Sequence, residues 1–342
     1  ASDGKSAWLW EVSPRPPLVL LPHDKAVTAT AFSPDGRTVV TASEDNAARL
    51  WRVDKGEPVA RLLRHDARIR AVAFSPRGGS VATASDDKTV RLWSESTGAA
   101  LASLPHAGKV LAVVFSPDGG SVLTASEDKS ARLWDAATGR QRVLLSHDSA
   151  VTAVAFSPEG RSVATASQDG SARLWNAATG VLQAGPLRHD ASILAVVFSP
   201  EGTRVATAGE DNTVRLWDRA TGAPLGEPLK HDFFVTALAF SPDGSSLVTA
   251  SEDISARVWD VATGAQRLSL PHDNTVTAVA FSPEGTRVAT ASGDGTARVW
   301  PVRPEDWSQL ACALLPRNLS PQEWPADVGT AVPYRKTCPG LP

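Results

Sequence analysis

Histidine and aspartate side chains recur along this chain in a pattern that could support acid–base or metal chemistry. Each of the seven histidines is followed by an aspartate at a constant separation, as in His147 and Asp169. A histidine beside a carboxylate can activate a nucleophile, and imidazoles are common metal ligands. However, seven identical copies cannot each be an active site, and no Ser or Cys nucleophile recurs beside them. Histidines a whole repeat apart cannot converge on one ion, so we predict no catalytic residue, metal or cofactor.

The histidine belongs to a unit of about 41 residues that returns seven times. Every copy keeps a His, a Phe-Ser-Pro, a Thr-Ala, an Asp and a Trp in the same order. A fixed period of this length indicates a repeat architecture that is stabilised by contacts between neighbouring units. Because the repeat uses every histidine of the protein, we expect function to lie where the copies differ.

The composition of the chain restricts its partners. Its 342 residues are 42% hydrophobic and carry a formal net charge of -3. No apolar run reaches the roughly 18 residues of a membrane span, and no charged-then-apolar leader opens the chain. Nucleic-acid affinity depends on clustered Lys and Arg, so we expect no nucleic-acid partner. We also expect a cytoplasmic protein that does not bind membranes. Cys312 and Cys338 lie outside the repeats and are either free thiols or paired with each other.

Residues 147–188 show how one repeat is predicted to fold. Residues 151–156 are small or apolar, which is typical of a strand covered on both faces. A Ser-Pro-Glu-Gly turn leads to a second strand over 161–167, and an Asp-Gly reversal leads to a third over 171–175. The stretch 182–187 is more polar, as an outer edge strand should be. Four short antiparallel strands per period describe one blade of a β-propeller.

This order of residues resembles the WD-repeat family of β-propellers over residues 18–301. The resemblance implies that a His, a Thr, a turn Asp and a Trp in each repeat form a buried, hydrogen-bonded tetrad that fixes the register of the blade. The seven predicted tetrads are His23, Thr41, Asp45, Trp51; His65, Thr83, Asp87, Trp93; His106, Thr124, Asp128, Trp134; His147, Thr165, Asp169, Trp175; His189, Thr207, Asp211, Trp217; His231, Thr249, Asp253, Trp259; and His272, Thr290, Asp294, Trp300. We therefore expect an all-β, seven-bladed WD-repeat propeller of four-stranded antiparallel blades.

The predicted ring needs one strand to complete its last blade. An outer strand at residues 18–21 has no inner strands before it, and the inner strands that end at Trp300 have no outer strand after them. We predict that the N-terminal segment closes the last blade, so that residues 13–301 form the propeller. Residues 1–12 align with 125–136 as the third strand of another repeat. They are either a remnant of a longer repeat protein or an N-terminal arm packed on the rim.

Residues 302–342 break the period and are predicted to pack on the propeller as a partly helical tail. The stretch 304–315 has a helical apolar stripe, and Ser-Pro-Gln-Glu at 320–323 is a capping box that opens a second short helix. The run Arg-Asn-Leu-Ser-Pro-x-Glu-Trp at 317–324, followed by Cys338-Pro339, resembles the C-terminal tail of bacterial WD-repeat proteins, including STAND-type signalling ATPases. We expect Trp307, Trp324 and Tyr334 to cover the propeller rim.

The family resemblance places the loops beside each His and each turn Asp on one face, around the central channel. The residue before the turn Asp is acidic in five of seven copies, and these positions are Glu44, Asp86, Glu127, Gln168, Glu210, Glu252 and Gly293. Basic and apolar side chains interrupt this acidic face at Arg68, Arg70, Lys109, Phe233, Phe234 and Ile254. Exposed aromatic groups beside charges are typical of interface hot spots. We predict that these six residues bind a protein or peptide partner on the channel-mouth face of a monomeric propeller.

Three classes of function remain open on the sequence alone. The favoured class is a non-catalytic scaffold or sensor module of a larger bacterial signalling protein. The second is the regulatory propeller of a multidomain STAND ATPase or kinase, although this chain contains no Gly-x4-Gly-Lys-Ser/Thr loop. The third is a small-ligand or glycan site at the channel mouth, which is disfavoured because no convergent His, Cys or carboxylate set is left unassigned.

Overall fold

Each of the seven repeats forms one antiparallel sheet, and the sheets follow one another in chain order as the blades of a β-propeller. The computed structural model describes residues 6–9, 19–59 and 62–302. The predicted C-terminal helices, Cys312, Cys338 and the aromatic residues of the tail lie outside the described residues.

Strands pair only with their sequence neighbours inside each sheet. Before the first blade come β1 (Ser6–Leu9) and β2 (Val19–Pro22). The first three blades are β3 (Val27–Phe32), β4 (Thr38–Ser43), β5 (Ala47–Arg52), β6 (Leu63–Arg64); β7 (Ile69–Phe74), β8 (Ser80–Ser85), β9 (Thr89–Ser94), β10 (Ala100–Pro105); and β11 (Val110–Phe115), β12 (Ser121–Ser126), β13 (Ser130–Asp135), β14 (Gln141–Ser146). The next three are β15 (Val151–Phe156), β16 (Ser162–Ser167), β17 (Ser171–Asn176), β18 (Leu182–Arg188); β19 (Ile193–Phe198), β20 (Arg204–Gly209), β21 (Thr213–Asp218), β22 (Leu229–Lys230); and β23 (Val235–Phe240), β24 (Ser246–Ser251), β25 (Ser255–Asp260), β26 (Gln266–Pro271). The seventh blade has three described strands, β27 (Val276–Phe281), β28 (Arg287–Ser292) and β29 (Ala297–Pro301).

The second strand of each blade lies deepest because small residues allow neighbouring blades to pack on both of its faces. Every residue of β16, Ser-Val-Ala-Thr-Ala-Ser, is buried. The outer strand β14 is mostly exposed and buries only Leu145. The core therefore lies between blades, where Leu174 of the fourth blade packs with Ile193 and Phe198 of the fifth. Burying such a leucine fully contributes about 1.5–3 kcal/mol.

The predicted closure of the last blade by the N-terminal segment is wrong for the described structure. β2 pairs with β1 in a separate two-stranded sheet, and it does not pair with β29. Ala7 faces Leu21 in the same register in which Ala131 faces Leu145 in the third blade. β1 therefore takes the place of a third strand beside the outer strand β2. Pairing with β1 closes only a short loop, whereas pairing with β29 would join distant parts of the chain at a larger entropic cost.

In chain order, the two-stranded sheet precedes the first blade and the seventh blade comes last. Leu21 packs on Val39 and Trp51 of the first blade, as an outer strand packs on the blade that follows it. Among the described residues, the outward face of the seventh blade is not covered in this way. Val299 is 52% exposed, whereas Leu174, which has the same position in the fourth blade, is 0% exposed.

Candidate functional site

The structure brings the four residues of each predicted tetrad together around a buried threonine hydroxyl. Each Thr Oγ1 accepts a hydrogen bond from the Trp Nε1 of its own blade at 2.7–3.0 Å. The His Nε2 lies 2.6–2.8 Å from the same oxygen. Six of the seven threonines are 0% exposed, and Thr290 is 2% exposed. Water therefore cannot replace these bonds, and each contributes about 1 kcal/mol to stability.

The histidine of each tetrad links this hydroxyl to the turn after the second strand. Its Nδ1 is hydrogen-bonded to a carboxylate oxygen of the turn Asp at 2.7–3.2 Å in five blades, and it lies 3.5 Å from that carboxylate, without a hydrogen bond, for His23 and His147. In those five blades, a neutral imidazole that carries its proton on Nδ1 donates to the Asp and leaves Nε2 free to accept from the threonine. The same Asp also accepts from the backbone two residues further on, as in the Ser130 N–H to Asp128 Oδ1 bond of 3.1 Å. The turn is thereby held against the loop that carries the histidine.

Burial favours the neutral form of the imidazole in four of the tetrad histidines. The pKa values of His106 and His147 are lowered to about 4, first by burial and then by a neighbouring arginine. Burial lowers the pKa values of His23 and His65 in the same direction. For Asp128, burial alone would raise the pKa, but hydrogen bonds from Ser130 and from the Ala107 N–H lower it overall. At neutral pH, His106 is therefore a neutral imidazole beside the ionised carboxylate of Asp128.

An arginine that the sequence interpretation did not assign completes each tetrad. It follows the turn Asp by four residues and lies 2.6–3.7 Å from its carboxylate in all seven blades. In six blades the same arginine also pairs with the exposed Asp that follows the histidine. These arginines are Arg49, Arg91, Arg132, Arg173, Arg215, Arg257 and Arg298. The signal was present in the sequence, because an Arg recurs at this position in every repeat.

The tetrads have no atom available for chemistry on a substrate. All seven histidine side chains are 0% exposed, and their ring nitrogens face the Thr and the turn Asp of their own blade. Within residues 6–9, 19–59 and 62–302, no three His, Cys, Asp or Glu side chains are grouped closely enough to hold a metal ion. In the same ranges, no helix is long and apolar enough to cross a bilayer. The tetrads therefore hold the loops in place.

The three predicted basic anchors form ion pairs inside the protein. Arg68 Nη1 lies 2.9 Å from Glu44 Oε1, and Arg68 Nε lies 3.2 Å from Asp86 Oδ2. Arg70 also pairs with Asp86 through Nε. Lys109 Nζ lies 3.8 Å from Glu127 Oε1. The acidic residues before the turn Asp in the first three blades, Glu44, Asp86 and Glu127, are thus each paired with a basic side chain.

The three predicted apolar anchors lie together at the tip of the sixth blade. Phe233, Phe234 and Ile254 are 58%, 37% and 49% exposed, and we call them the sixth-blade patch. Two hydrogen bonds join the phenylalanine loop to the turn that carries Ile254. They run from Ser251 Oγ to Phe233 O at 3.1 Å and from Glu252 N to Phe234 O at 2.9 Å. The two loops that carry the three exposed apolar side chains are therefore joined through their backbones.

Ile254 occupies a backbone conformation that disfavours its residue type. Its φ is +63°, in the left-handed region that β-branched residues rarely adopt. The other six blades have Asn, Lys or Gly at this position, also with positive φ: Asn46, Lys88, Lys129, Gly170, Asn212 and Gly295. An exposed isoleucine gains little from burial here, so folding alone does not explain the choice of this residue.

Comparisons with known proteins agree with this architecture. Residues 184–218, 222–260 and 264–301 match the WD domain, G-beta repeat, and residues 26–182 match the IFT122 first beta-propeller. A crystal structure of the computationally designed Ika8 protein superposes with a TM-score of 0.79 at 29% identity, covering 88% of this chain and 92% of that one.

Similarity to curated proteins is confined to short segments. Human Denticleless protein homolog is 38% identical over 58 residues, which is 16% of this chain and 8% of that protein. Ribosome assembly protein 4 of Saccharomyces cerevisiae is 45% identical over 53 residues, which is 15% of this chain and 10% of that protein. The matched segments are thus a tenth or less of these relatives. Together with the seven sheets, the domain matches show that the chain carries WD40 repeats folded as a seven-bladed β-propeller.

Proposed function

We propose that this propeller is a protein-interaction scaffold that binds a partner through the sixth-blade patch on its channel-mouth face. WD40 propellers generally bind proteins, which supports the class of function. The observation that carries the choice of site is the exposure of Phe233, Phe234 and Ile254 on two loops that hydrogen bonds join. Exposed aromatic groups on a rigid surface make good interface anchors, because little side-chain entropy is lost when they are covered.

Arg68, Arg70 and Lys109 have a secondary role in this proposal. Their charges are compensated by Glu44, Asp86 and Glu127, so a partner that approaches them gains little net electrostatic attraction. We place them at the edge of the contact surface. The sixth blade is its centre.

The proposed setting is a larger bacterial signalling protein in which the propeller is the sensor or scaffold part. The resemblance of the C-terminal tail supports this setting, and the regulatory propeller of a STAND ATPase or kinase is the alternative. A parent reading frame that encodes a phosphate-binding loop beside this propeller would favour the alternative. Thermal shifts with a glycan or metabolite panel that persist after loss of the patch would favour a small-ligand site.

Photo-crosslinking at the patch tests the proposal. Benzoylphenylalanine replaces Phe233 in one variant and Ser149, the equivalent residue of the fourth blade, in a control variant. We expect a discrete adduct from position 233 and none from position 149. Unlabelled wild-type protein should compete for this adduct.

A blade-swap variant provides the matched competitor. It carries Phe233→Ser, Phe234→Ala and Ile254→Gly, which are the residues of the fourth blade at the same positions. These side chains are exposed, so the variant should fold as stably as the wild type. It should fail to compete for the adduct. Equal labelling from both positions, or equal competition by both proteins, would contradict the proposed site.

A further inference from the structure

In the second blade, a basic side chain of the protein itself lies between two acidic loop residues. Arg68 is the third residue after the histidine of its blade, and it contacts two carboxylates at once. One is Glu44 of the preceding blade, at 2.9 Å, and the other is Asp86 of its own blade, at 3.2 Å. Arg68 Nη1 donates a hydrogen bond to Glu44 Oε1, whereas its contact with Asp86 is an ion pair without a hydrogen bond.

The sixth blade keeps the two carboxylates but lacks the cation. Phe234 has the position of Arg68, Glu210 has that of Glu44, and Glu252 has that of Asp86. Neither Glu210 nor Glu252 forms an ion pair with any residue in the described ranges. This acidic pair therefore remains uncompensated beside the sixth-blade patch.

The backbone around Phe234 contacts both blades, as it does around Arg68. Glu252 N donates to Phe234 O at 2.9 Å, and Asp86 N donates to Arg68 O at 3.0 Å. On the other side, Asn212 of the fifth blade donates through Nδ2 to Asp232 O at 3.4 Å. By analogy with Arg68, which lies between Glu44 and Asp86, we infer that a cation above Phe234 would lie between Glu210 and Glu252.

We propose that the partner of the sixth-blade patch is a peptide segment that presents an arginine next to a large apolar side chain. The inference rests on the proposed function and names the chemistry of its partner. The arginine lies over the Phe234 ring and contacts Glu210 and Glu252, while the apolar side chain packs on Phe233 and Ile254. The ring adds cation–π attraction to the two ion pairs.

Selection from a random peptide library tests this chemistry without knowledge of the partner. A phage-displayed 12-residue library is selected on the wild-type propeller after depletion on the blade-swap variant. We expect the enriched peptides to share an Arg within a few positions of Leu, Phe, Trp or Met. Enriched peptides without a basic residue, or no enrichment above the depleted background, would overturn the proposal.

Binding of a selected peptide to three variants then tests the geometry. Glu210→Gln with Glu252→Gln should weaken binding about 3- to 30-fold, because two ion pairs at a partly exposed site are lost. Glu127→Gln, which changes a carboxylate of the third blade, is the control and should leave the affinity unchanged. Phe234→Arg should abolish binding without destabilising the fold, because the new side chain fills the site as Arg68 does in the second blade.

The failure of this inference can be told apart from failure of the proposed function. If the adduct from position 233 forms but Glu210→Gln with Glu252→Gln leaves peptide affinity unchanged, the patch binds a partner without the proposed cation. If Phe234→Arg still binds the selected peptides, the acidic pair is not their site. If neither adduct nor enriched peptide is found, both proposals fall.

Discussion

Removing the hydroxyl of Thr124 should destabilise the propeller far more than removing its methyl group. Thr124 Oγ1 lies 2.8 Å from His106 Nε2 and accepts from Trp134 Nε1 at 3.0 Å, and the threonine is 0% exposed. Thr124→Val keeps the shape of the side chain but leaves both ring nitrogens without a partner. Each unmatched buried group costs about 1–3 kcal/mol, so the expected loss is about 2–6 kcal/mol.

Thr124→Ser is the matched control, because it keeps the hydroxyl and loses one buried methyl group. Its expected cost is about 1 kcal/mol. Urea unfolding followed by tryptophan fluorescence measures both variants, and agreement with far-UV circular dichroism checks that one transition is observed. If Thr124→Val lost no more stability than Thr124→Ser, the tetrad would not be a stabilising hydrogen-bonded unit.

Three further predictions follow from the described contacts. Ile254→Asn should raise the free energy of unfolding by about 1 kcal/mol, since Asn tolerates positive φ better. A lower free energy of unfolding for this variant, measured in urea, would contradict the strain at Ile254. Stability should fall as the pH drops from 6.5 towards 4, because the unfolded chain binds protons that folded His106 and His147, with pKa values of about 4, do not bind. Each of these two histidines contributes a loss of about 1.4 kcal/mol per pH unit, and equal unfolding free energies at pH 7 and pH 5 would rule this out. Val299→Ala should cost less than about 0.5 kcal/mol, whereas Leu174→Ala should cost about 2–5 kcal/mol, and similar losses in thermal melts would show that the seventh blade is covered.

The repeat period made the blades predictable from sequence. The Ser-Val-Ala-Thr-Ala-Ser pattern of residues 162–167 is small on both faces, and only a strand between two blades requires that. The constant order of His106, Thr124, Asp128 and Trp134 identified the residues that the structure brings together. The arginine at the fourth position after each turn Asp was equally regular in the sequence, but surface ion pairs are common and its contact with the buried Asp could not be distinguished from solvation.

Features that depend on competition between equivalent segments were not predictable in this way. β2 can pair in one register with a third strand of any repeat, and the sequence alone did not show that the nearby β1 takes that place. The basic side chains Arg68 and Lys109 looked like free anchors, although carboxylates from neighbouring loops neutralise them. Contacts between blades decide which charges remain uncompensated, and the sequence of one repeat does not show these contacts.

We propose a separation between residues that hold the propeller together and residues that recognise a partner. The partner identified by crosslinking is titrated with the wild-type propeller and with the blade-swap variant, and both propellers are unfolded in urea. The two measurements test that separation directly. We expect the dissociation constant to rise at least about tenfold while the free energy of unfolding stays equal or increases. An unchanged dissociation constant would contradict the proposed separation. A blade-swap variant that loses affinity and stability together would also contradict it.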